Sequence, residues 1–257
     1  MPTVVTPPPV ARAGLLRDVP HGFFGRRGGV SPPPFESLNT GSGSGEDEAV
    51  LAENRARIVA AVAPGAQLLN VYQVHGRDCV IAEEGWPHGD RPQADAMVTA
   101  TPGLLLGILT ADCAPVLFAD RTAGVVGAAH AGWQGALAGV TDSTIAAMET
   151  LGARRAQITA AIGPAIARAS YEVDAAFRGR FADADPANER FFAEGAPGHA
   201  QFDLAGYVAH RLALAGIGTV ELIDHDTYAR GDAYFSYRRA THRGEPGYGR
   251  QLSVIGL

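Results

Sequence analysis

The chain has 257 residues, 21 basic against 27 acidic side chains, a net charge of −6 and 46% hydrophobic residues, which suits one α/β domain with a sizeable core. Every basic residue is arginine, so Schiff-base, pyridoxal-phosphate, P-loop-lysine and lysine general-base chemistries are excluded, and the mild acidity with no arginine-rich stripe argues against a nucleic-acid partner. Two cysteines, Cys79 and Cys113, are too few for a disulfide scaffold.

In chain order, residues 1–20 read as a loosely structured, Pro-rich lead-in and 21–257 as the folded domain. The lead-in lacks the pattern of a signal peptide. No apolar run is long enough to span a bilayer, so a cytoplasmic protein without a membrane partner is expected. The Gly/Ser stretch 41–45 lacks the spacing of a dinucleotide-binding turn and is expected to be a loop. A helix is predicted over 46–63, with acids in its first turn and a Pro-Gly stop. Strands are predicted over 68–74 and 78–82, paired with each other across His75-Gly76-Arg77, and then over 96–100, 104–109, 115–119 and 125–129. A helix over 135–151 is capped by Gly152. A strand over 157–162, helices over 171–181 and 204–215, and strands over 219–223, 234–237 and 253–255 complete the reading. Short strand-to-strand links imply mixed β-sheets in a single domain.

Three of these strands run into chemistry-bearing residues. The first ends at His75, the fourth passes through Thr110-Ala111-Asp112 to Cys113, and the sixth ends at His130. Strand exits are where α/β proteins place their sites, because the strand fixes a position while the loop leaves access. Two imidazoles and a thiolate make a three-ligand zinc set with a fourth position open, the mark of a catalytic ion. Water held there ionises near neutral pH. The bland alternative is a Cys113 buried as a small hydrophobe and histidines satisfied separately. Asp112 is a candidate proton carrier or a support for a neighbouring ligand, with a simple turn cap as the alternative. The turn Ala131-Gly132-Trp133-Gln134-Gly135 after His130 offers free backbone N–H groups suited to phosphate or an oxyanion.

The segments HGFFGRRGGVS (21–31), SLN (37–39), NVYQVHG (70–76), ADAMVT (94–99), LTADCAPVLFAD (109–120), GVVGAAHAGWQG (124–135), AAIGPAIARASYEV (160–173) and FSYRR (235–239) occur in one order. Together they resemble the laccase-domain, or polyphenol oxidase, family of purine nucleoside phosphorylase laccase-domain proteins. The resemblance implies a four-layer α/β/β/α fold with mixed β-sheets. It implies a catalytic Zn2+ on His75, Cys113 and His130. It also implies phosphorolysis of adenosine, inosine and methylthioadenosine, and deamination of adenosine, so that purine nucleosides and phosphate are the expected small-molecule partners. In deamination, Asp112 is the candidate to shuttle the proton. Arg26 and Arg238 are candidates to grip phosphate or ribose through their planar forks, or else surface ion pairs. Asn39 and Gln73 are candidate hydrogen-bonding residues for substrate, or are satisfied by backbone. Gln134 is a further candidate substrate contact. Tyr237 suits stacking on a base, although such a Tyr is more often core. His21 heads a family block and can also serve simply as a turn cap.

The chain departs from the family pattern at Gln134, where Arg is usual, at Ala169 and Ser170, where cysteines are frequent, and at Ala240, where an acid is frequent. The first departure removes a permanent charge beside the metal loop. Other functions are weighed against the zinc enzyme. A copper-dependent polyphenol oxidoreductase would use the same ligands with a Met such as Met97, but the sequence has no His-x-His pair for a further copper cluster. A Cys-His hydrolase or deamidase acting on peptidoglycan precursors would use Cys113 as nucleophile. A binding protein would show neither metal nor turnover. The sequence does not fix the oligomeric state; a monomer is the expectation.

Overall fold

Alternation decides the layering. In β6 (Leu104–Thr110), Leu104, Leu106 and Ile108 face one apolar cluster while Leu105 and Leu109 face another. In β8 (Val125–Ala131), Val126 and Ala128 point one way and Val125, Ala129 and Ala131 the other. A strand buried on both faces in this way must lie inside a stack of layers.

The computed structural model describes residues 6–257. The remaining elements, in chain order, are β1 (Val10–Ala11), β2 (His21–Phe24), α1 (Glu48–Val62), β3 (Gln67–Leu69), β4 (Cys79–Ile81) and β5 (Ala96–Thr99) before β6. After it come β7 (Ala114–Asp120), β8, α2 (Trp133–Ala138), α3 (Val140–Thr150), β9 (Thr159–Ile162), β10 (Glu172–Asp174), α4 (Ala175–Ala184), β11 (Phe192–Glu194), β12 (His199–Phe202), α5 (Leu204–Leu214), β13 (Thr219–Leu222), α6 (Tyr237–Arg243) and β14 (Gln251–Gly256).

Among the described residues these strands form a sheet of order β1-β2-β14-β6-β3, a second of order β13-β9-β7-β8-β5-β4, and a small β10-β12-β11 sheet. Both large sheets are mixed: β3 runs parallel to β6 while β14 runs antiparallel to it, and β13 runs parallel to β9 while β7 runs antiparallel. The two large sheets share an inner apolar layer that includes Met97, Leu106, Ile108, Leu117 and Val126. Outside the first sheet, Leu105, Leu252 and Val254 pack with Ile58 of α1. Outside the second, Val116, Phe118 and Ala129 pack with Ile145 and Met148 of α3 and Val208 and Leu212 of α5. The result is the α/β/β/α stack. Each fully buried Leu, Ile or Phe in these layers contributes about 1.5–3 kcal/mol by leaving water. No helix among the described residues is long and apolar enough to cross a membrane.

The structure differs from the sequence reading in several places. In the stretch read as a loose lead-in, β1 pairs with β2 and Leu16 is fully buried; residues 1–5 lie outside the described residues. The strand predicted over 68–74 stops at Leu69. Beyond it, Asn70 turns to donate from Nδ2 to the Gly107 carbonyl. The segment predicted over 78–82 does not pair with it. β4 lies instead in the other sheet, parallel to β5. The predicted helix over 135–151 is two helices, divided where Gly139 adopts φ 95°, a conformation that costs an L-residue with a side chain. The helix predicted from Tyr171 begins only at Ala175, where the Asp174 carboxylate accepts the Phe177 N–H at 2.7 Å. The predicted strand over 234–237 is absent: Ser236 caps α6 by accepting the Arg239 N–H at 3.1 Å, a role Ser performs well.

Candidate metal and substrate site

The site forms where the two large sheets exchange chain. β6 belongs to one sheet and β7 to the other, and the crossing residues are Ala111, Asp112 and Cys113. Asp112 makes the turn with φ 88°, in the positive-φ region that Asp tolerates better than most residues. Its buried carboxylate accepts the Thr227 hydroxyl at 2.7 Å, the Ser236 hydroxyl at 2.9 Å and the Arg238 N–H at 2.7 Å. Its carbonyl accepts the Ile166 N–H. Burial is the dominant influence on this carboxyl and pushes it above the ordinary carboxylate range. Asp112 therefore ties together three loops around the site.

A second acid, Asp95, organises the histidines. It is fully buried just before β5. Its Oδ1 accepts His130 Nδ1–H at 2.7 Å and the His75 N–H at 3.0 Å, and its Oδ2 accepts the N–H groups of Val74 at 3.1 Å and Gly76 at 2.6 Å. Burial raises this carboxyl, but the His130 hydrogen bond and charge and the backbone donors outweigh it and hold it low. These bonds hold His75 in a tight turn at φ 60°. They also favour the His130 tautomer protonated at Nδ1, which leaves the Nε2 lone pair free for a metal, as carboxylates behind metal-binding histidines do.

One donor atom from each of His75, Cys113 and His130 lies within 4.8 Å of the others. Cys113 Sγ is 4.0 Å from His75 Nε2, and the imidazole rings are 4.7 Å apart at 76°. Zinc bonds of about 2.0–2.3 Å in a tetrahedron set donors roughly 3.3–3.8 Å apart, so this set closes on one cation with small side-chain adjustments. Burial pushes the Cys113 thiol up, but the His130 and His75 imidazoles outweigh it and bring it down to about 6, favouring the thiolate that a metal requires. Gly132 completes the cradle: a Cβ there would come within 2.9 Å of His75 Cδ2 and 3.1 Å of Cys113 Sγ. The residues present fit a metal ion.

Two cavities meet at His75, Ala111 and Cys113. The larger, about 580 Å³, is walled by Trp133, Tyr171 and Phe177 and reached by Gln134, Arg180 and Arg238. The other, about 550 Å³, is lined by Tyr72, Arg91, Thr110, Tyr248 and Arg250 among others.

Of the candidates read from sequence, His75, Cys113 and His130 come together, and Gln134 and Arg238 line the larger cavity. Tyr237, 52% exposed, borders both cavities. Gln73 borders the second cavity, but its amide is engaged with Leu109, donating to the carbonyl at 2.8 Å and accepting the N–H at 2.9 Å. Arg26 and Asn39 line neither cavity. Arg26 binds the carbonyls of Glu36 and Gly231 and stacks on Phe235. Asn39 is fully buried and accepts the N–H groups of Gly41 and Arg250. Met97 packs in the inter-sheet layer, and among the described residues His75, Cys113 and His130 are the one His/Cys/Asp/Glu group able to hold a metal. Cys79 lies apart, and burial pushes its thiol up to about 12. Asp95 was missed by the sequence reading: it stands in the ADAMVT block with no local signal to mark it.

A family model described as multi-copper polyphenol oxidoreductase laccase matches residues 20–257. A Deinococcus radiodurans protein named purine nucleoside phosphorylase is 41% identical over 253 residues, covering 97% of this chain and 93% of its own. A Streptomyces griseus protein named purine nucleoside phosphorylase ORF3 is 42% identical over 219 residues, covering 84% of this chain and 87% of its own. The crystal structure of a Bacillus licheniformis hypothetical protein, YfiH, superposes with a TM-score of 0.86 at 30% identity, covering 98% of both chains.

Proposed function

This chain belongs to the laccase-domain family, and on that footing we propose that it is a purine nucleoside phosphorylase that also deaminates adenosine, with zinc on His75, Cys113 and His130. The observation that carries the reading is the convergence of those three donors on the rim of a cavity with aromatic walls, in a chain whose relatives bear the phosphorylase name.

Bound by His75, Cys113 and His130, zinc would supply a Lewis acid. The chain supplies the rest. Trp133, Tyr171 and Phe177 offer faces and edges to a purine, and the volume lies in the range of small-molecule sites. Arg238, tethered from Nη1 to the Glu172 carbonyl at 2.7 Å and stacked over Tyr171, and Gln134 supply polar contacts to base or ribose. Asp112 is a positioning residue, because its oxygens already receive three donors; the proton-shuttle role read from sequence does not suit that arrangement. In phosphorolysis a phosphate oxygen bonds to C1′ as the C1′–N9 bond breaks. The electron pair leaves with the purine, which gains a proton, and ribose 1-phosphate forms. In deamination water adds at C6 and ammonia leaves.

Metal analysis paired with adenosine turnover tests the reading. One zinc per chain is expected, with inosine formed without phosphate and adenine appearing when phosphate is added. Cys113→Ala should lose both the metal and both products while its circular dichroism is retained; a fully active Cys113→Ala protein overturns the assignment. The 4.0 Å approach of Cys113 Sγ to His75 Nε2 also suits a thiol hydrolase, which would keep its activity after zinc is chelated. Stoichiometric copper with phenol oxidation would replace both readings.

A further inference from the structure

The second cavity has a different chemistry from the first. Its lining contains Arg91 and Arg250 and no carboxylate, whereas Asp112, Glu172 and Asp174 line the larger one. Among the described residues neither Arg91 nor Arg250 forms an ion pair. Thr110 also lines this cavity. It is only 2% exposed, and its buried Oγ1 has no hydrogen-bond partner.

Arg250 is built into place. Its N–H donates to Asn39 Oδ1 at 2.9 Å, and its carbonyl accepts from the Thr40 hydroxyl at 2.9 Å. Its stem lies against Gly41, where a Cβ would come within 3.0 Å of it. The guanidinium stacks on Tyr248 and donates to that hydroxyl at 3.0 Å. Burial first, and then the neighbouring Arg55 charge, lowers Arg91 from the ordinary guanidinium range; an arriving anion relieves that repulsion. Held in this way, Asn39 supports a binding residue without touching the substrate.

We infer that this second cavity is the inorganic phosphate subsite, gripped by Arg91 and Arg250. The inference rests on the phosphorolysis reading and deepens it. Phosphate enters from one side of the metal cradle and the purine lies on the other, with His75 and Cys113 bordering both.

The test titrates inorganic phosphate at constant ionic strength into zinc-loaded wild type, Arg250→Gln and Arg91→Gln, with phosphate and adenosine KM measured in parallel. Wild type should bind one phosphate per chain. The arginine variants should weaken binding about tenfold or more, the loss expected for a charged hydrogen bond. The phosphate KM should rise in step, while the adenosine KM and zinc content stay near wild type. If Arg250→Gln fails to fold, Arg91→Gln decides the matter, since its side chain is half-buried and makes no ion pair. Wild-type phosphate affinity in both arginine variants, or none in wild type, overturns the inference. Phosphate binding that depends on the arginines, with no nucleoside turned over, keeps the subsite and overturns phosphorolysis. Adenine release with an unchanged phosphate KM in both variants does the reverse.

Discussion

Asp95 stands behind two of the three candidate metal donors, holding His130 through Nδ1 and His75 through its backbone. In Asp95→Asn one carboxylate oxygen becomes an NH2 group facing two N–H donors, so two of the four hydrogen bonds are lost, and where that oxygen is Oδ1 the His130 ring is freed to turn. Zinc affinity should fall by about 10–100-fold, the scale of losing a partner behind a metal ligand. Competition with a chromogenic chelator measures it. Affinity equal to wild type would show that Asp95 only fastens the loop.

At the scale of elements, β2 begins with a histidine used for structure. His21 is fully buried, donates from Nδ1 to the Val19 carbonyl at 2.8 Å and accepts the Ala13 N–H on Nε2 at 2.9 Å. That pair of bonds demands neutral imidazole. Burial, the largest influence, and the Arg12 charge lower its pKa from 6.5, against opposing pulls from the Val19 bond and Glu221. The sign follows directly. Above pH 6.5 both folded and unfolded chains carry neutral His21 and nothing is gained or lost. Below it the unfolded chain takes up a proton that the folded chain refuses, so stability falls with pH until the lower folded value is reached. Urea unfolding from pH 7.5 to 5.5 should show a steeper decline for wild type than for His21→Gln. Equal slopes would remove His21 from the account.

For the whole molecule, the relation between the two large sheets sets the spacing of the three candidate metal donors. His75 follows the edge strand of one sheet, His130 lies in the other, and Cys113 is on the crossing. Leu117 belongs to the layer between the sheets and Ile58 to the layer under α1. Leu117→Ala and Ile58→Ala should each cost about 2–5 kcal/mol, read as a lower melting temperature. Only Leu117→Ala should also weaken zinc binding, because only that cavity lets the sheets shift against each other. On the proposed zinc reading, zinc should raise the melting temperature of wild type, since the three donors converge only in the folded state. Equal zinc affinity in the two variants would disprove the coupling.

Much of the donor set was legible in the sequence. His75, Cys113 and His130 each stand just past a predicted apolar run or at its end, and a strand exit is a local property that periodicity exposes. The helix at 46–63 and the strands at 104–109, 115–119 and 125–129 were legible for the same reason. Pairing was not, because β-partners are chosen by layers distant in sequence: β4 joins β5, and the run after Leu69 leaves its sheet. Ser236 as a helix cap and Gly139 as a helix break each hang on one residue that periodicity averages away. Asp95 looks like any acid before a strand until four N–H groups are seen converging on it. Arg91, Thr110 and Arg250 are spread over 160 positions of the chain, and only the stacking of two sheets brings them to one cavity. Residue chemistry and local period are written along the chain; convergence is a long-range packing property, and the tertiary structure alone decides it.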